Sequence, residues 1–390
     1  MVIANPPYIN IKKQDTETKN TLQLYKYSKG ADIYVGFLER GYNLLRSNAI
    51  ICYIIPNKFF GASYGKKIRK YIQDQKKILS IWDLKDEKVF ESASITTIVY
   101  LSANEIQNDD DVLIKYEDNV RLVNSVFDDN GKIQLETSDD EKEFLNNIIS
   151  NFKPLTAFAT IRTGIMGFEY WKMQDIISSD GIINEKNVPI YTNGNLRRYK
   201  DNWDDTEISL YKSKYFSPTI QLNNNYLNNN TIELFKTYPK IIVRGVSKEV
   251  AGIIDFRGAG LLVAVHSICP INIEIYTLLG IINSKFINWY HLKTYYSQRI
   301  PQGSLKYPIE FFNSIPIPDI SANLGMRLKN EVEKLFNNIN SLNEIEIKQS
   351  NLLIDILVYK LYNLTYDEVK VIDPEFQLSE TEYNAFTGSF

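Results

Sequence analysis

Apolar positions along the first hundred residues switch repeatedly between strand-like and helix-like periods. Val2, Ile3 and Ala4 form a short apolar run that leads into Asn5-Pro6-Pro7-Tyr8. Residues 31–45 then place Tyr34, Phe37, Leu38, Tyr42 and Leu45 at helical spacing. Residues 49–55 are continuously apolar, as expected of a parallel strand covered on both faces. Residues 66–73 read as a short basic helix, and 78–84 and 96–101 as two further strands. This alternation predicts an α/β layer with a mostly parallel sheet.

After Ala103 the pattern changes. Residues 109–111 and 138–141 are acidic and solvated, flanking a linker or peripheral hairpin. From Lys153 onward the chain reads as β-rich and irregular, with strands at 161–165, 188–192, 240–244 and 261–267. A helix is expected at 275–290, Pro316 and Pro318 close the region, and 326–364 reads as one long amphipathic helix. The expected division is an α/β part over 1–125, a β-rich part over 126–320 and a helical segment over 321–390.

Composition narrows the class. With 390 residues and 44% apolar side chains the chain can bury a sizeable core. No apolar run approaches the roughly 20 residues needed to cross a bilayer. The N-terminus lacks the basic-then-apolar pattern of a secretion signal, so no membrane partner is expected and a cytoplasmic setting is. Cys52 and Cys269 lie far apart, only His266 and His291 could join them, and no metal site is expected. The net charge of −3 does not advertise nucleic acid, although a local basic face would suffice to grip it. The asparagine-rich stretch 222–230 (LNNNYLNNN) carries no functional weight.

Asn5-Pro6-Pro7-Tyr8 is the tetrapeptide with the most chemical content. Asn-Pro is a common turn initiator, and on these four residues alone a plain turn accounts for them equally well. A residue before proline is pushed out of the helical region and proline has a fixed φ, so Asn5 and Pro6 are both held extended. The Asn5 side chain and the Pro6 carbonyl then form two acceptors on a stiff frame.

The runs MVIANPPY, ADIYVGFLERGYNLLR and AIICYIIPNKFF resemble motifs four to six of the γ-class adenine-specific DNA methyltransferases, and KVFESASITTIVYL resembles motifs seven and eight. These are the TaqI-type enzymes and the methylase parts of type IIG restriction–modification proteins. TIRTGI, VPIYTNGNLRRY, YPKIIVRG, LLGIINSKFINWY and FFNSIPIP follow the segment order of that family's target-recognition domain. The resemblance implies a partial Rossmann-like methyltransferase sheet, a TaqI-like recognition domain and a helical C-terminus. It implies methyl transfer from S-adenosylmethionine to the exocyclic amine of a flipped adenine in double-stranded DNA. Asn5, Pro6, Pro7 and Tyr8 would be the catalytic group. Asn5 and Pro6 would accept the two amine protons and localise the nitrogen lone pair, a catalysis by positioning. Tyr8 would stack on the base, with Phe90 against the other face; Phe90 reads equally well as a core residue ahead of a strand. Asn5, Asp32 and Tyr34 would border the cofactor, although Tyr34 is also placed for plain helix packing. Pro56, Asn57 and Lys58 would sit at a strand's carboxyl end, where open α/β sheets bind ligands.

In that family a glycine-rich cofactor loop and a ribose-binding acid precede the NPPY motif, and Gly258-Ala259-Gly260 is too isolated to replace them. The expectation is therefore an incomplete S-adenosylmethionine site. A separate N-terminal half would complete it, and the exposed sheet edge would invite self-association. The alternative is a split or inactive fragment that serves as a sequence-specific DNA-binding module. Protein-glutamine and RNA methyltransferases also carry NPPY, but they end soon after the catalytic sheet, whereas this chain continues far past Leu101. Expected DNA contacts are Arg197, Arg198, Lys200, Arg244, Lys248 and Arg299, with Arg257 and Lys306 as further candidates. Arginine can read guanine bidentately, and lysine mostly neutralises phosphate.

Overall fold

The computed structural model describes residues 1–84, 96–104, 111–116, 119–128, 131–133, 135, 139–165, 170–210, 212–262, 264–295, 299–300 and 304–386. The chain forms two compact units. One comprises residues 1–142 with 292–304, the other 143–291 with 305–390.

The first unit is built on a six-stranded sheet. Its strands are β1 (Val2–Ala4), β2 (Ile50–Pro56), β3 (Lys77–Asp83), β4 (Thr97–Ala103), β5 (Val112–Tyr116) and β6 (Asn119–Val123), in the order β1-β2-β4-β3-β5-β6. The pairs β1–β2 and β3–β5 are parallel; β2–β4, β3–β4 and β5–β6 are antiparallel. The sheet is thus mixed, which corrects the mostly parallel reading. A buried apolar run reports that both faces are covered and carries no information on direction. Moreover, β4 follows β3 in the chain and pairs beside it, an antiparallel neighbour that needs no crossover helix.

Helices α1 (Thr16–Gln23), α2 (Ile33–Leu44) and α3 (Lys66–Gln75) belong to this unit. Tyr34, Val35, Leu38 and Tyr42 of α2 join Ile51, Ile55, Ile81, Ile98, Tyr100 and Ile114 of the sheet in one core. Their spacing puts one helix face against the sheet. The Tyr42 hydroxyl donates to Ser102 Oγ at 2.7 Å, so the phenol is buried without a lost hydrogen bond. Strand β1 lies at the sheet edge, and its Ile3 is 67% exposed.

The second unit is β-rich. Strands β7 (Ala159–Thr163), β8 (Asn187–Tyr191), β9 (Thr219–Gln221), β10 (Lys240–Arg244), β11 (Gly252–Asp255) and β12 (Val265–Pro270) form its two principal sheets. One is wholly antiparallel, in the order β11-β10-β12-β7. In the other, β8 pairs antiparallel with β9 and parallel with Gly260–Leu261.

Helices α4 (Ile275–Ile282) and α5 (Lys285–Thr294) replace the single helix expected at 275–290. The break falls at Asn283, whose side chain accepts from Gly252 N at 2.8 Å and donates to Gly252 O at 3.0 Å. Both groups of that side chain thus serve β11. The expected helix at 326–364 is likewise two, α6 (Ala322–Asn338) and α7 (Glu344–Leu361). Asn343 and Glu346 form a capping box that starts α7 afresh. Gly280 lets α4 approach α6 closely; a Cβ there would lie 2.8 Å from a Val332 methyl.

Candidate active site and nucleic-acid interface

Because β1 and β2 are parallel, their carboxyl ends lie on one side of the sheet. Asn5 emerges from β1 there, and Pro56, Asn57 and Lys58 follow from β2. Asn5 and Pro7 are exposed, Pro6 is buried and Tyr8 is half-buried. The Tyr8 hydroxyl lies 3.0 Å from Asn5 Oδ1 and 2.9 Å from the carbonyl oxygen of Ile54. A phenol carries one proton and donates to one of these at a time. Tyr8 therefore fastens the motif to β2. Burial pushes its phenol up to about 12, so it stays a protonated donor at neutral pH.

Behind Tyr8 stands Tyr34, edge-on with ring centres 6.5 Å apart, and the Tyr34 hydroxyl meets that of Tyr64 at 3.1 Å. Burial holds the Tyr34 phenol well above its ordinary value. Tyr34 is 1% exposed, and Asp32 accepts from Ile11 N at 2.9 Å and is itself buried. These two residues thus brace the loop from residue 9 to α2. Of the three residues expected to border the cofactor, Asn5 is exposed, and Asp32 and Tyr34 are buried. Phe90 lies outside the described residues.

Arg69 holds the turn after β2, and sequence reading saw only a basic helix there. It is 2% exposed, donating to the carbonyl oxygens of Phe59 and Ala62 at 2.9 Å each and to Gly131 at 2.9 Å. A buried guanidinium with three carbonyl acceptors is a structural clamp. Glu39 is similar: it accepts from Lys26 N, Tyr27 N and Ser28 Oγ. Neither role leaves a signal in residue spacing.

In the second unit the expected DNA contacts separate into two sets. Arg197, Lys248 and Lys306 are exposed, and Lys200 and Arg244 are half-buried. Arg198, by contrast, turns inward. Its guanidinium lies 3.8 Å from both Asp355 and Glu249. Arg257 pairs with Asp201 at 2.7 Å and hydrogen-bonds the Tyr191 hydroxyl. Arg299 belongs to the first unit; its backbone lies in a short strand, and its side chain is outside the described residues. Among the described residues no His, Cys, Asp and Glu cluster could hold a metal, and no helix is long and apolar enough to cross a membrane.

Residues 1–90 match the Eco57I restriction-modification methylase family, and residues 188–317 match the TaqI-like C-terminal specificity domain. The chain is 26% identical over 114 residues to the type II restriction enzyme and methyltransferase RM.Eco57I of Escherichia coli, covering 28% of this chain and 11% of that protein. It is 32% identical over 111 residues to the type II methyltransferase M.AccI of Acinetobacter calcoaceticus, covering 27% and 20%. The matches thus span a minor part of either relative. The fold is similar to that of the type IIL restriction-modification enzyme MmeI, solved in complex with DNA. The TM-score is 0.64 at 8% identity, over 98% of this chain and 56% of that one. The chain therefore carries a segment that matches the Eco57I restriction-modification methylase model, followed by one that matches the TaqI-like C-terminal specificity domain.

Proposed function

We propose that the chain presents a flipped adenine for methylation in a restriction–modification system, as the target-base side of an adenine-specific DNA methyltransferase. The observation that carries this is the anchored motif, in which the Tyr8 hydroxyl bridges Asn5 and the Ile54 carbonyl at the carboxyl end of two parallel strands. With the Tyr8 proton given to Ile54 O, the Asn5 amide turned end for end donates Nδ2–H to the phenol oxygen. Oδ1 then faces outward. Together with the Pro6 carbonyl it accepts both protons of the adenine amine, drawing the nitrogen toward tetrahedral geometry and freeing its lone pair. Apart from that turn of the amide, the motif's frame is held before the base arrives, which limits the reorganisation needed at the moment of reaction.

Extruding the base costs about a few kcal/mol. Stacking on the Tyr8 ring returns roughly 1–3 kcal/mol of it. S-adenosylmethionine is the methyl source of this reaction class. Asn5, at the end of β1, and the start of α2 at Asp32 and Tyr34 would border one side of it. The second unit supplies DNA binding, with Arg197, Lys200, Arg244, Lys248 and Lys306 as contacts and Arg198 as an internal brace. Asn5→Ala in the enzyme that carries this chain tests the reading. Methylation should fall about 100-fold or more, as when a preorganised polar group is removed, while duplex binding stays unchanged. Near-normal methylation by Asn5→Ala overturns the acceptor role.

A further inference from the structure

Three segments of the second unit converge at the carboxyl end of β10. Asn193, in the turn before Arg197, accepts a hydrogen bond from Gly245 N at 3.2 Å through its Oδ1. This holds the Arg197 turn against the residue that follows Arg244. From the third side, Tyr307 N donates to Gly245 O at 2.8 Å, and Val246 pairs with Lys306. Gly245 has no room for a side chain, since a Cβ would lie 2.8 Å from the Ala264 carbonyl oxygen. The three segments are therefore tightly joined.

This arrangement brings the segments that carry Arg197 and Arg244 together. Burial first, and then the Arg197 charge, push the Arg244 guanidinium down from its ordinary value. Arg197 Nη1 is tied to the carbonyl oxygens of Gly194 and Leu196 at 2.9 and 3.0 Å, which fixes its direction. Arg244 Nε is shielded from water and has no hydrogen-bond partner. No carboxylate forms an ion pair with either arginine among the described residues. Glu249 lies 3.8 Å from Arg198. Two like charges carried on joined segments without a counter-ion are costly, and an anion between them removes the cost. Exposed Lys248 and Lys306 add to the field.

We propose that Arg197 and Arg244 jointly seat a single phosphate of the DNA backbone. This rests on the reading that the second unit binds duplex DNA. A guanine edge offers two acceptors but no charge, and one arginine satisfies it. A phosphate diester offers the charge that two guanidiniums require. The contact positions the duplex and reads no base itself.

The test is fluorescence anisotropy of the full 390-residue chain on a random-sequence duplex across a range of salt concentrations. Each neutralised phosphate contributes about 0.9 to the slope of log affinity against log salt. Arg197→Gln with Arg244→Gln should lower the slope by about one such step in total, the single substitutions being less than additive. Arg244→Lys should keep the slope. Arg197 is exposed, so Arg197→Gln keeps the test open even if Arg244→Gln unfolds. An unchanged slope in the double variant, or a drop of two full steps, overturns the shared seat. A loss that follows guanine content at constant slope also overturns it, in favour of base reading. Absence of duplex binding by the unsubstituted chain at low salt overturns instead the reading on which the proposal rests.

Discussion

Lys240 and Asp255 face each other across β10 and β11 with Nζ 2.8 Å from Oδ2, and both side chains are fully buried. Lys240 Nζ also donates to the carbonyl oxygens of Phe235 at 3.2 Å and Thr237 at 2.6 Å. The same strand ends at Arg244, so this pair fixes the register that delivers the proposed phosphate contact. Lys240→Met removes the cation and leaves the Asp255 carboxylate in a site without water. Breaking a buried pair in this way costs about 3–5 kcal/mol. Total stabilities are roughly 5–15 kcal/mol, so the loss is a large fraction of what holds the unit. Lys240→Met combined with Asp255→Leu removes both charges and should recover most of the loss, because no uncompensated ion remains. Equilibrium urea unfolding, compared at constant dependence on denaturant, gives the numbers. The double variant should also bind duplex DNA as the parent does. A loss below about 1 kcal/mol in Lys240→Met, the size of an exposed pair, would refute the reasoning. So would a double variant as unstable as the single one.

Two further outcomes concern the NPPY motif. Tyr8→Phe keeps the ring but removes the phenol oxygen that accepts from Asn5 in the reactive arrangement. One hydrogen bond is worth about 0.5–1.5 kcal/mol, so single-turnover methylation should slow by roughly 2–10-fold. 2-Aminopurine fluorescence at the target position should still report an extruded base; an unchanged rate would show that the hydroxyl does not orient Asn5. Isothermal titration of the purified 390 residues with S-adenosylmethionine should show no binding tighter than about millimolar, since Asn5 with the helix start at Asp32 and Tyr34 would touch only one side of the cofactor; a micromolar one-to-one isotherm would contradict that.

Much of the first unit was legible because its signals are local. Asn5-Pro6-Pro7-Tyr8 sits at a strand end, and the apolar spacing of Tyr34, Leu38 and Tyr42 marks the face of α2 that the sheet covers. Strand direction was not legible, since buried runs such as β2 look alike in parallel and antiparallel pairs. The break before α7 was written in the sequence as Asn343 with Glu346, a capping box that periodicity over a long window overrides. The break at Asn283 depends on the backbone of Gly252, about thirty residues away in sequence, and has no local signature. Arg197 and Arg198 are adjacent and chemically identical, yet one is exposed and the other faces Asp355. Only the path of the chain decides which of them can meet DNA.

The central claim is that Asn5 and Pro6 hold an adenine amine. Its most direct test is nucleoside mass spectrometry of duplex DNA methylated by the enzyme that carries this chain, with and without Asn5→Ala. The account expects N6-methyladenine as the product, confined to one sequence context and lost on substitution. Methylated cytosine, or N6-methyladenine that persists in Asn5→Ala, would contradict it.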